Sequence, residues 1–501
     1  MMLDFTSQAD YLLALLPEIV LSLWAMLVLL VDVFQKGNRS EPSRPIIPWL
    51  TLAGLVVTGL ANGWLVTLAD AATTGLVAVD SFRIFANFIL LLSAALATLV
   101  SMGYLDRLGL NRGEYYVLIM YATVGMMVLA SARDLILLFL ALELMSVAVY
   151  VLVGFDRREP RSSEGALKYF LLGAFSSAFL LYGIALVFGT TRSTNVADVV
   201  PLLSSVQQSP MFLIGVGLLL VGLGFKVAAI PFHVWTPDAY DGAPTPITAF
   251  MATGVKAAAF AALIRVFSVA FAGIHQEWST VLGWLALLTM FGANLIALTQ
   301  GSIKRMLAYS SIAHAGYLLV AVLAANAFGA AAFLFYLLVY TLMTVGAFTI
   351  LIAKSSGSRE LETLEDFAGF GWQQPMLGAA FSVFLLSLAG FPLTAGFIGK
   401  LYILRSALEA GNVVLAVSLV LASVISYFYY LRVVVVMYMR PAPSPDAHRG
   451  AGLPAPGEVA VAVSAAAVLA LFFVPGWVLD VAQRSVASLF TTPGAFFGLG
   501  P

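Results

Sequence analysis

Long apolar stretches follow one another along almost the whole chain and constrain its fold more than any motif does. A helix needs roughly 20 such residues to cross the ~30 Å hydrocarbon core of a bilayer. Of the 501 residues, 61% are hydrophobic and 10% charged, which is typical of polytopic membrane proteins. We therefore predict an all-α membrane protein with about fourteen spans. The predicted spans are 11–33, 47–68, 80–102, 114–131, 134–154, 163–189, 211–236, 244–270, 279–299, 302–325, 329–353, 375–408, 412–438 and 458–479.

Basic residues are divided unequally between the two predicted sides of the membrane. The loops that follow even-numbered spans hold few of them, chiefly Arg83, Arg133, Arg192 and Arg484. Because basic loops stay in the cytoplasm, we expect the N-terminus outside, and an even number of spans places the C-terminus outside too. The basic residues of the predicted cytoplasmic loops are Lys36, Arg39, Arg44, Arg107, Arg112, Arg157, Arg158, Arg161, Lys354, Arg359, Arg440 and Arg449.

The spans show a weak internal symmetry. Five helices over 114–270 are followed by five over 279–438, and an odd number per set predicts that the second set is inverted. The fourth helix of each set is broken by a proline, at Pro231 and Pro392, because proline removes an amide donor. Matched breaks in two halves indicate a site near the bilayer midplane.

This symmetry predicts four regions of the chain. They are three N-terminal helices over 1–113, a first repeat of helices 4–8 over 114–270, a second repeat of helices 9–13 over 271–440, and a loop with helix 14 over 441–501. The broken helices are then numbers 7 and 12.

Composition excludes several kinds of function. The formal net charge of -1 argues against nucleic acid as a partner. The chain has no cysteine, which excludes disulfides and thiolate ligands of iron–sulfur clusters. Its four histidines are scattered along the sequence, so we expect neither a metal site nor a haem site in this chain.

Ionisable residues inside the predicted spans are the main functional signal. Glu143 lies nine residues past Asp134, about 13–14 Å deep and near the centre of the membrane. Lys256 lies twelve residues after Pro244, about 18 Å along its helix. Neither can reach the interface easily, so both need a partner or a function.

Two further lysines flank the broken helices at similar depth. Lys226 lies five residues before the first proline break, and Lys400 lies eight residues after the second. His314 is twelve residues into the tenth span, whereas Lys168 is shallower, near the predicted cytoplasmic start of the sixth.

Such groups are costly to bury. A charge at the bilayer centre costs roughly 2.5–3.5 kcal/mol, so four cost on the order of 10 kcal/mol unless they are compensated. Burial disfavours the charged form of a lysine and a nearby carboxylate favours it. Lys226 can therefore exchange a proton as Glu143 approaches or withdraws, and this exchange is what a proton pump requires.

A purely structural role is the alternative: a Glu–Lys pair that holds helices together, with lysines that snorkel to the interface. The depth of Glu143, Lys226, Lys256 and Lys400 favours the functional interpretation. A structural role stays more open for His314 and Lys168. A lone buried histidine is often structural, and a lysine at the start of a helix often snorkels. The segment WTPDAYDGAPTP is interpreted as a polar turn, in which Asp238 and Asp241 either guard an entrance or are simply solvated.

These residues lie within segments that resemble a known family over essentially the full length. The segments are LLPEIVLSLW, ALELMSVAVYVLVGF, LVGLGFKVAAIPFHVWTPDAYDGAPTPITAFMATGVKAAAF, IKRMLAYSSIAHAGYLL, SLAGFPLTAGFIGKLYIL and SYFYYLRVVVVMYMRP. On them the chain resembles subunit N of the membrane arm of bacterial respiratory complex I, the NADH:quinone oxidoreductase. Subunit M carries Glu where this chain has Lys400, and subunit L is longer, with a lateral helix.

The resemblance implies a role for each buried group. The family has a glutamate in helix 5 and lysines in broken helix 7, helix 8 and, in some members, broken helix 12. These positions correspond to Glu143, Lys226, Lys256 and Lys400. His314 then matches the polar position that bridges the two halves. Lys168 matches a connecting lysine.

The resemblance also implies a setting. The chain is expected to be a proton-translocating subunit of a translocase in the bacterial inner membrane, with both termini on the periplasmic side. It is expected to bind no cofactor itself, with NADH, FMN, iron–sulfur clusters and quinone elsewhere in the complex. The expected partners are an M-like antiporter subunit on one side, small subunits of the K, J, A and H types on the other, lipid and protons.

Two rival functions remain at this point. One is a subunit of a multisubunit Na⁺/H⁺ antiporter, which shares the same glutamate, lysines and broken helices. The PEIVL and SYFYYLRVVVVMY segments favour complex I over it. The other rival is a non-pumping structural subunit that only spaces the membrane arm, and the full set of buried ionisable groups argues against it.

Overall fold

The computed structural model describes residue 5 and residues 7–35, 45–68, 75–353, 361–444, 448 and 452–491. Regular structure in these ranges is helical, apart from three isolated β-bridges. Six basic residues of the predicted cytoplasmic loops lie outside the described residues, namely Lys36, Arg39, Arg44, Lys354, Arg359 and Arg449.

Thirteen of the α-helices precede Lys256. The N-terminal region contains α1 (Gln8–Ala14), α2 (Leu16–Gln35), α3 (Ile46–Trp64), α4 (Ser81–Ser101) and α5 (Tyr104–Leu108). It is followed by α6 (Gly113–Ser131), α7 (Leu135–Val153), α8 (Pro160–Thr191), α9 (Val196–Val199), α10 (Leu203–Val206), α11 (Pro210–Lys226), α12 (Trp235–Gly242) and α13 (Thr245–Phe250).

The remaining helices begin with α14 (Lys256–Leu263), which continues α13 through a π-helical turn, Met251–Val255, and ends in another, Ile264–Ala270. The later helices are α15 (His275–Leu298), α16 (Ile303–Leu323), α17 (Ala327–Leu351), α18 (Phe370–Gln373), α19 (Pro375–Ala389), α20 (Ala395–Glu409), α21 (Val413–Met439), α22 (Ala455–Phe473) and α23 (Pro475–Thr491).

The predicted fold class, an all-α polytopic membrane protein, is confirmed. Twelve helical segments in the described ranges are long and apolar enough to cross a membrane, and each coincides with a predicted span. The other two predicted spans, 211–236 and 375–408, fall on interrupted helices, so the count of fourteen stays a prediction.

Two local predictions were wrong. The predicted span 458–479 runs past Val474, where α22 ends and the amphipathic helix α23 begins. The segment interpreted as a polar turn contains a short helix, α12, because the chain resumes helical geometry at Trp235 directly after the break.

The two breaks have different local causes. Helix α11 ends at Lys226, and the Ala229 amide reaches back to the carbonyl of Gly224 before Pro231 prevents continuation. Helix α19 ends in the left-handed Gly390, whose successor Phe391 donates its amide to the carbonyl of Leu386. This second arrangement is a glycine C-cap, which stops the helix before Pro392.

The centre of the molecule is formed by three candidate spans that are almost entirely enclosed by other helices. Thr245–Ala270 is completely buried over its most apolar part, and Ile303–Leu323 and Ala327–Leu351 are nearly so. Polar side chains on these helices therefore cannot face lipid and must find partners inside the protein.

The same neighbour pattern recurs in the two predicted repeats. In the first set α6 packs along α7, and the broken helix α11–α12 packs on α8. In the second set α15 packs along α16, and the broken helix α19–α20 packs on α17. The division into repeats and its boundaries stay a prediction, which this correspondence favours.

Candidate functional site

Glu143 and Lys226 lie near each other but form no direct ion pair, although both are among the described residues. Ser177 on α8 donates its hydroxyl to the Glu143 carboxylate. Lys226 Nζ donates to Ser146 Oγ at 2.8 Å and to the Tyr150 hydroxyl at 3.2 Å. Ser146 lies one turn beyond Glu143 on α7, so one helix face carries both the carboxylate and a partner of the lysine.

The sequence places these groups through ordinary helix chemistry. Asp134 caps α7 by accepting the amides of Ile136 and Leu137, which fixes the start of the helix. Glu143 then lies on the third turn, partly exposed at the edge of the helix bundle. Lys226 is the last residue of α11 and is only 1% exposed.

Three aromatic rings lie between Lys226 and Lys256. Tyr169 stacks on Trp235 with a centroid separation of 4.1 Å, and its ring lies 5.5 Å from Lys226 Nζ. Trp235 packs edge-on against Tyr240, whose ring lies 5.8 Å from Lys256 Nζ. These rings therefore form an aromatic wall, which Lys226 touches through Tyr169 of α8 and Lys256 touches through Tyr240 of α12.

Two buried polar atoms beside this wall, Tyr169 Oη and Thr236 Oγ1, have no hydrogen-bond partner among the described residues. Buried polar atoms are seldom left without a hydrogen bond. Their clustering between two lysines marks this part of the core as polar, although the hydrocarbon side of the same helices is apolar.

Lys256 is held by the other half of the molecule. Its Nζ donates to the Ser311 carbonyl at 2.7 Å and to Ser311 Oγ at 2.5 Å. Ser311 in turn accepts from the Tyr340 hydroxyl at 2.8 Å. A lysine of helix α14 is thus joined to polar side chains of α16 and α17 by neutral oxygens.

His314 lies one turn beyond Ser311 on α16 and is surrounded by tyrosines. Its Nδ1 lies 2.6 Å from the Tyr336 hydroxyl and its Nε2 lies 3.3 Å from the Tyr430 hydroxyl. The rings of Tyr340 and Tyr317 lie 5.1 and 5.3 Å away. Each imidazole nitrogen therefore has a hydroxyl that can donate to it or accept from it.

Lys400 completes the series on α20. Its Nζ lies 4.7 Å from the centroid of the Tyr317 ring, which also contacts His314. The same nitrogen donates to the carbonyl of Ala389 at 2.8 Å. That carbonyl belongs to the last turn of α19, where the break leaves it without a helical donor. The break therefore supplies the partner of the lysine.

Lys168 is not brought into this buried series. Its Nζ donates to Asp238 Oδ2 at 2.7 Å and lies 2.6 Å from Glu164 Oε1, with 44% of its side chain exposed. Arg305 Nη1 donates to Asp238 Oδ1 at 3.1 Å and to Asp241 Oδ2 at 3.4 Å. Burial raises the pKa of the Asp238 carboxyl, but the hydrogen bonds from Lys168 and Arg305 outweigh it and hold that pKa below its ordinary value.

The residues that sequence reasoning missed are neutral. They are Ser146, Ser177, Ser311, Tyr317, Tyr336, Tyr340 and Tyr430. Hydroxyl groups are common in membrane helices, so single serines and tyrosines carried no signal. Ser311 could have been predicted to lie beside His314, because it precedes the histidine by three residues and residues three apart share a helix face.

No group of three or more histidine or acidic side chains that could hold a metal ion is present in the described ranges. The chain itself has no cysteine. What the site offers is a set of amines, one carboxylate, one imidazole and hydroxyls, all of which bind or release protons or pass them on.

Comparison with known proteins places this arrangement in context. Residues 132–426 match the family described as NADH:quinone oxidoreductase/Mrp antiporter, transmembrane. NADH-quinone oxidoreductase subunit N of Trichlorobacter lovleyi is 48% identical over 424 residues, covering 84% of this chain and 86% of that protein. The protein of the same name from Rhodospirillum rubrum is 40% identical over 478 residues, covering 95% and 96%.

Solved structures show the same fold. A chain of respiratory complex I from Thermus thermophilus is 37% identical, with a TM-score of 0.77 over 94% of this chain and all of that one. An archaeal membrane-bound sulfane sulfur reductase and the Mrp complex of a Dietzia species match with TM-scores of 0.81 and 0.80. At 22% and 21% identity these two show likeness of fold alone.

Proposed function

The chain belongs to the subunit N family of NADH-quinone oxidoreductase, and we propose that it moves protons along the buried groups that lead from Glu143 to Lys400. As a member of this family it is a proton-translocating membrane-arm subunit of an oxidoreductase complex. Its place in the translocase class of enzymes is part of the proposal.

One observation carries the proposal: the three buried lysines and His314 are linked by contacts across an otherwise apolar core. Lys226 touches Tyr169, which leads through Trp235 and Tyr240 to Lys256. From there hydrogen bonds and ring contacts continue through Ser311 to His314 and Lys400. A scaffold would not require lysines from both halves to meet along one line.

The hydrogen bonds of Lys226 and Glu143 suggest how Lys226 would switch between taking up and releasing a proton. Lys226 is held by two neutral oxygens, and Glu143 is held by a serine hydroxyl. A lysine among neutral partners releases its proton more readily than one beside a carboxylate. A shift of Lys226 from Ser146 toward Glu143 would therefore favour proton uptake, and the return would favour release toward Lys256.

The setting follows from the family and is likewise proposed. Redox chemistry with NADH, FMN, iron–sulfur clusters and quinone takes place elsewhere in the complex and drives charge movement in this chain. The neighbours are an M-like subunit and small subunits of the K, J, A and H types. The membrane is the bacterial inner membrane, with both termini on the periplasmic side.

The antiporter alternative receives less support. The matched family description covers both protein classes, but the relatives with 40–49% identity are named as subunits of the quinone oxidoreductase. The Mrp complex shares the fold at 21% identity, which does not carry function.

The decisive experiment replaces Lys226 with alanine in the assembled complex. Protons translocated per NADH oxidised are measured in proteoliposomes beside the rate of quinone reduction. We expect proton transfer through this chain to fall about 100-fold, since a proton-transfer group contributes on the order of 10²–10⁴. Arg157→Ala, which removes an exposed cation, is the matched control. Normal pumping by a normally assembled Lys226→Ala complex would refute the relay, and loss of assembly alone would favour the scaffold role.

A further inference from the structure

A buried amide, that of Asn294, joins three helices beside the second half of the proposed relay. Asn294 lies on α15 with 0% of its surface exposed. Its Nδ2 donates to the carbonyl of Met290 at 2.7 Å and to the Tyr317 hydroxyl of α16 at 3.1 Å. Its Oδ1 accepts from the Tyr429 hydroxyl of α21 at 2.8 Å. Because a carbonyl can only accept, the bond to Met290 fixes which end of the amide faces Tyr317.

These hydrogen bonds complete a closed loop of contacts that includes His314. On one side, the ring of Tyr317 lies 5.3 Å from the imidazole. On the other side, the Tyr430 hydroxyl lies 3.3 Å from His314 Nε2, and the Tyr430 ring packs 4.4 Å from that of Tyr429. Asn294 supplies the remaining link, between Tyr429 and Tyr317. Removing its side-chain amide would therefore open the loop.

Tyr317 is the member of this loop that also reaches the next ionisable group. Lys400 Nζ lies 4.7 Å from the centroid of its ring, so the ring contacts both His314 and Lys400. The two helices pack closely here, because a Cβ on Gly316 would lie 2.8 Å from the backbone nitrogen of Met290. Close packing of α15 on α16 therefore keeps the amide of α15 against the Tyr317 hydroxyl.

We propose that Asn294 is a positioning residue of the relay, which holds the Tyr317 ring in place between His314 and Lys400. The proposal rests on the proposed function, since it requires that protons pass between these two groups. Tyr429 orients the amide, and the amide in turn fixes the hydroxyl end of Tyr317. A misplacement of about 1 Å can slow a reaction on the order of 100-fold, so losing this anchor slows proton transfer even where the helices stay packed.

An amide that only holds helices together is the alternative, and the chain offers a matched control for it. Asn62 is also 0% exposed, donates to the carbonyl of Ile84 at 3.0 Å and accepts from the Asn87 amide at 3.0 Å. It joins α3 to α4 in the N-terminal region, outside the proposed relay. Asn62→Leu therefore removes the same kind of buried bridge as Asn294→Leu.

The test measures protons translocated per NADH oxidised by the assembled complex in proteoliposomes, together with its thermal denaturation midpoint. We expect Asn294→Leu and Asn62→Leu to lower the midpoint by similar amounts. Asn294→Leu should also slow proton transfer through this chain by roughly 10- to 100-fold, whereas Asn62→Leu should leave it unchanged. Equal pumping by the two assembled variants would overturn the proposal.

Two further variants test the route through which Asn294 acts. Tyr429→Phe removes one hydroxyl and keeps the ring, so it decides the question if Asn294→Leu does not assemble. We expect a smaller loss of pumping from it, and unchanged pumping would overturn the proposal. In a complex that carries Tyr317→Phe, adding Asn294→Leu should lower pumping no further, because the hydroxyl that the amide holds is already gone. A second full loss would show that Asn294 does not act through Tyr317.

Lys226→Ala, measured in the same preparations, separates this proposal from the relay itself. Normal pumping by that variant would refute the relay and the positioning role together. Loss of pumping by Lys226→Ala with normal pumping by Asn294→Leu would refute the positioning role alone.

Discussion

Single residues show why charged groups survive inside this protein. Lys226, Lys256 and Lys400 are each buried, and each donates to neutral oxygens rather than to a carboxylate. A direct ion pair would hold a proton tightly, whereas neutral acceptors allow the amine to give it up. Lys168 is the contrast, because it lies between two carboxylates at the surface.

The carboxylate cluster at the surface leads to a prediction about pH. Because hydrogen bonds from Lys168 and Arg305 hold the pKa of Asp238 below its ordinary value of 3.8, the cluster stabilises the folded chain fully above that value. Its contribution is lost as the pH falls through the lower folded pKa. Asp238→Asn should lower the thermal denaturation midpoint of the purified complex by roughly 1–3 °C at neutral pH, and the difference should shrink only below about pH 4.

The control for this pH profile is Asp198→Asn, because Asp198 accepts from the neutral Ser193 hydroxyl. The change in denaturation midpoint caused by Asp198→Asn should not follow the titration of the cluster around Asp238. A difference between wild type and Asp238→Asn that already disappears near pH 6 would mean that another group governs the cluster.

Whole elements show where sequence reasoning succeeded and where it stopped. Hydrophobic length placed twelve candidate spans well, because a bilayer sets helix length directly. Prolines at 231 and 392 pointed to the breaks, because proline cannot continue a helix. Helix α23 was missed although Val478, Ala482 and Val486 recur at helical spacing, since the amphipathic segment is too polar to register as a span.

The second break leads to a prediction about its glycine. Gly390 has φ +84°, and a Cβ there would lie 2.8 Å from Lys400 Cδ. Gly390→Ala should cost about 1–2 kcal/mol of stability from the left-handed backbone and should also displace Lys400 from Ala389. We therefore expect reduced proton pumping per electron in proteoliposomes.

Gly411 provides the matched control for this substitution. It also has positive φ, +74°, but a Cβ there meets nothing within 4 Å. Gly411→Ala should cost similar stability and leave pumping unchanged. Equal pumping in the two variants would show that the position of Lys400 beside the break does not matter.

At the scale of the whole molecule, the series of polar groups depends on both halves being packed together. Lys256 belongs to the first predicted repeat, and its partner Ser311 to the second. Helix α23 packs against both α4 and α17 and so ties the N-terminal region to the second half. No local pattern could have joined Lys256 to Ser311, because their contact spans 55 positions and depends on tertiary packing alone.

A relay through the whole molecule makes a prediction that single variants cannot test. If Lys256 and Lys400 act in series, removing either one interrupts the same path, and groups that act as a unit are strongly non-additive. The Lys256→Ala/Lys400→Ala double variant should then pump no worse than the poorer single variant, measured as protons translocated per NADH oxidised. The Lys256→Ala/Arg157→Ala double variant is the control, because it measures how much pumping changes when a second, unrelated charge is lost. A loss in the double variant equal to the sum of the two single losses would mean that each lysine serves a separate route, and the continuous series from Lys226 to Lys400 would then be a structural coincidence of packing.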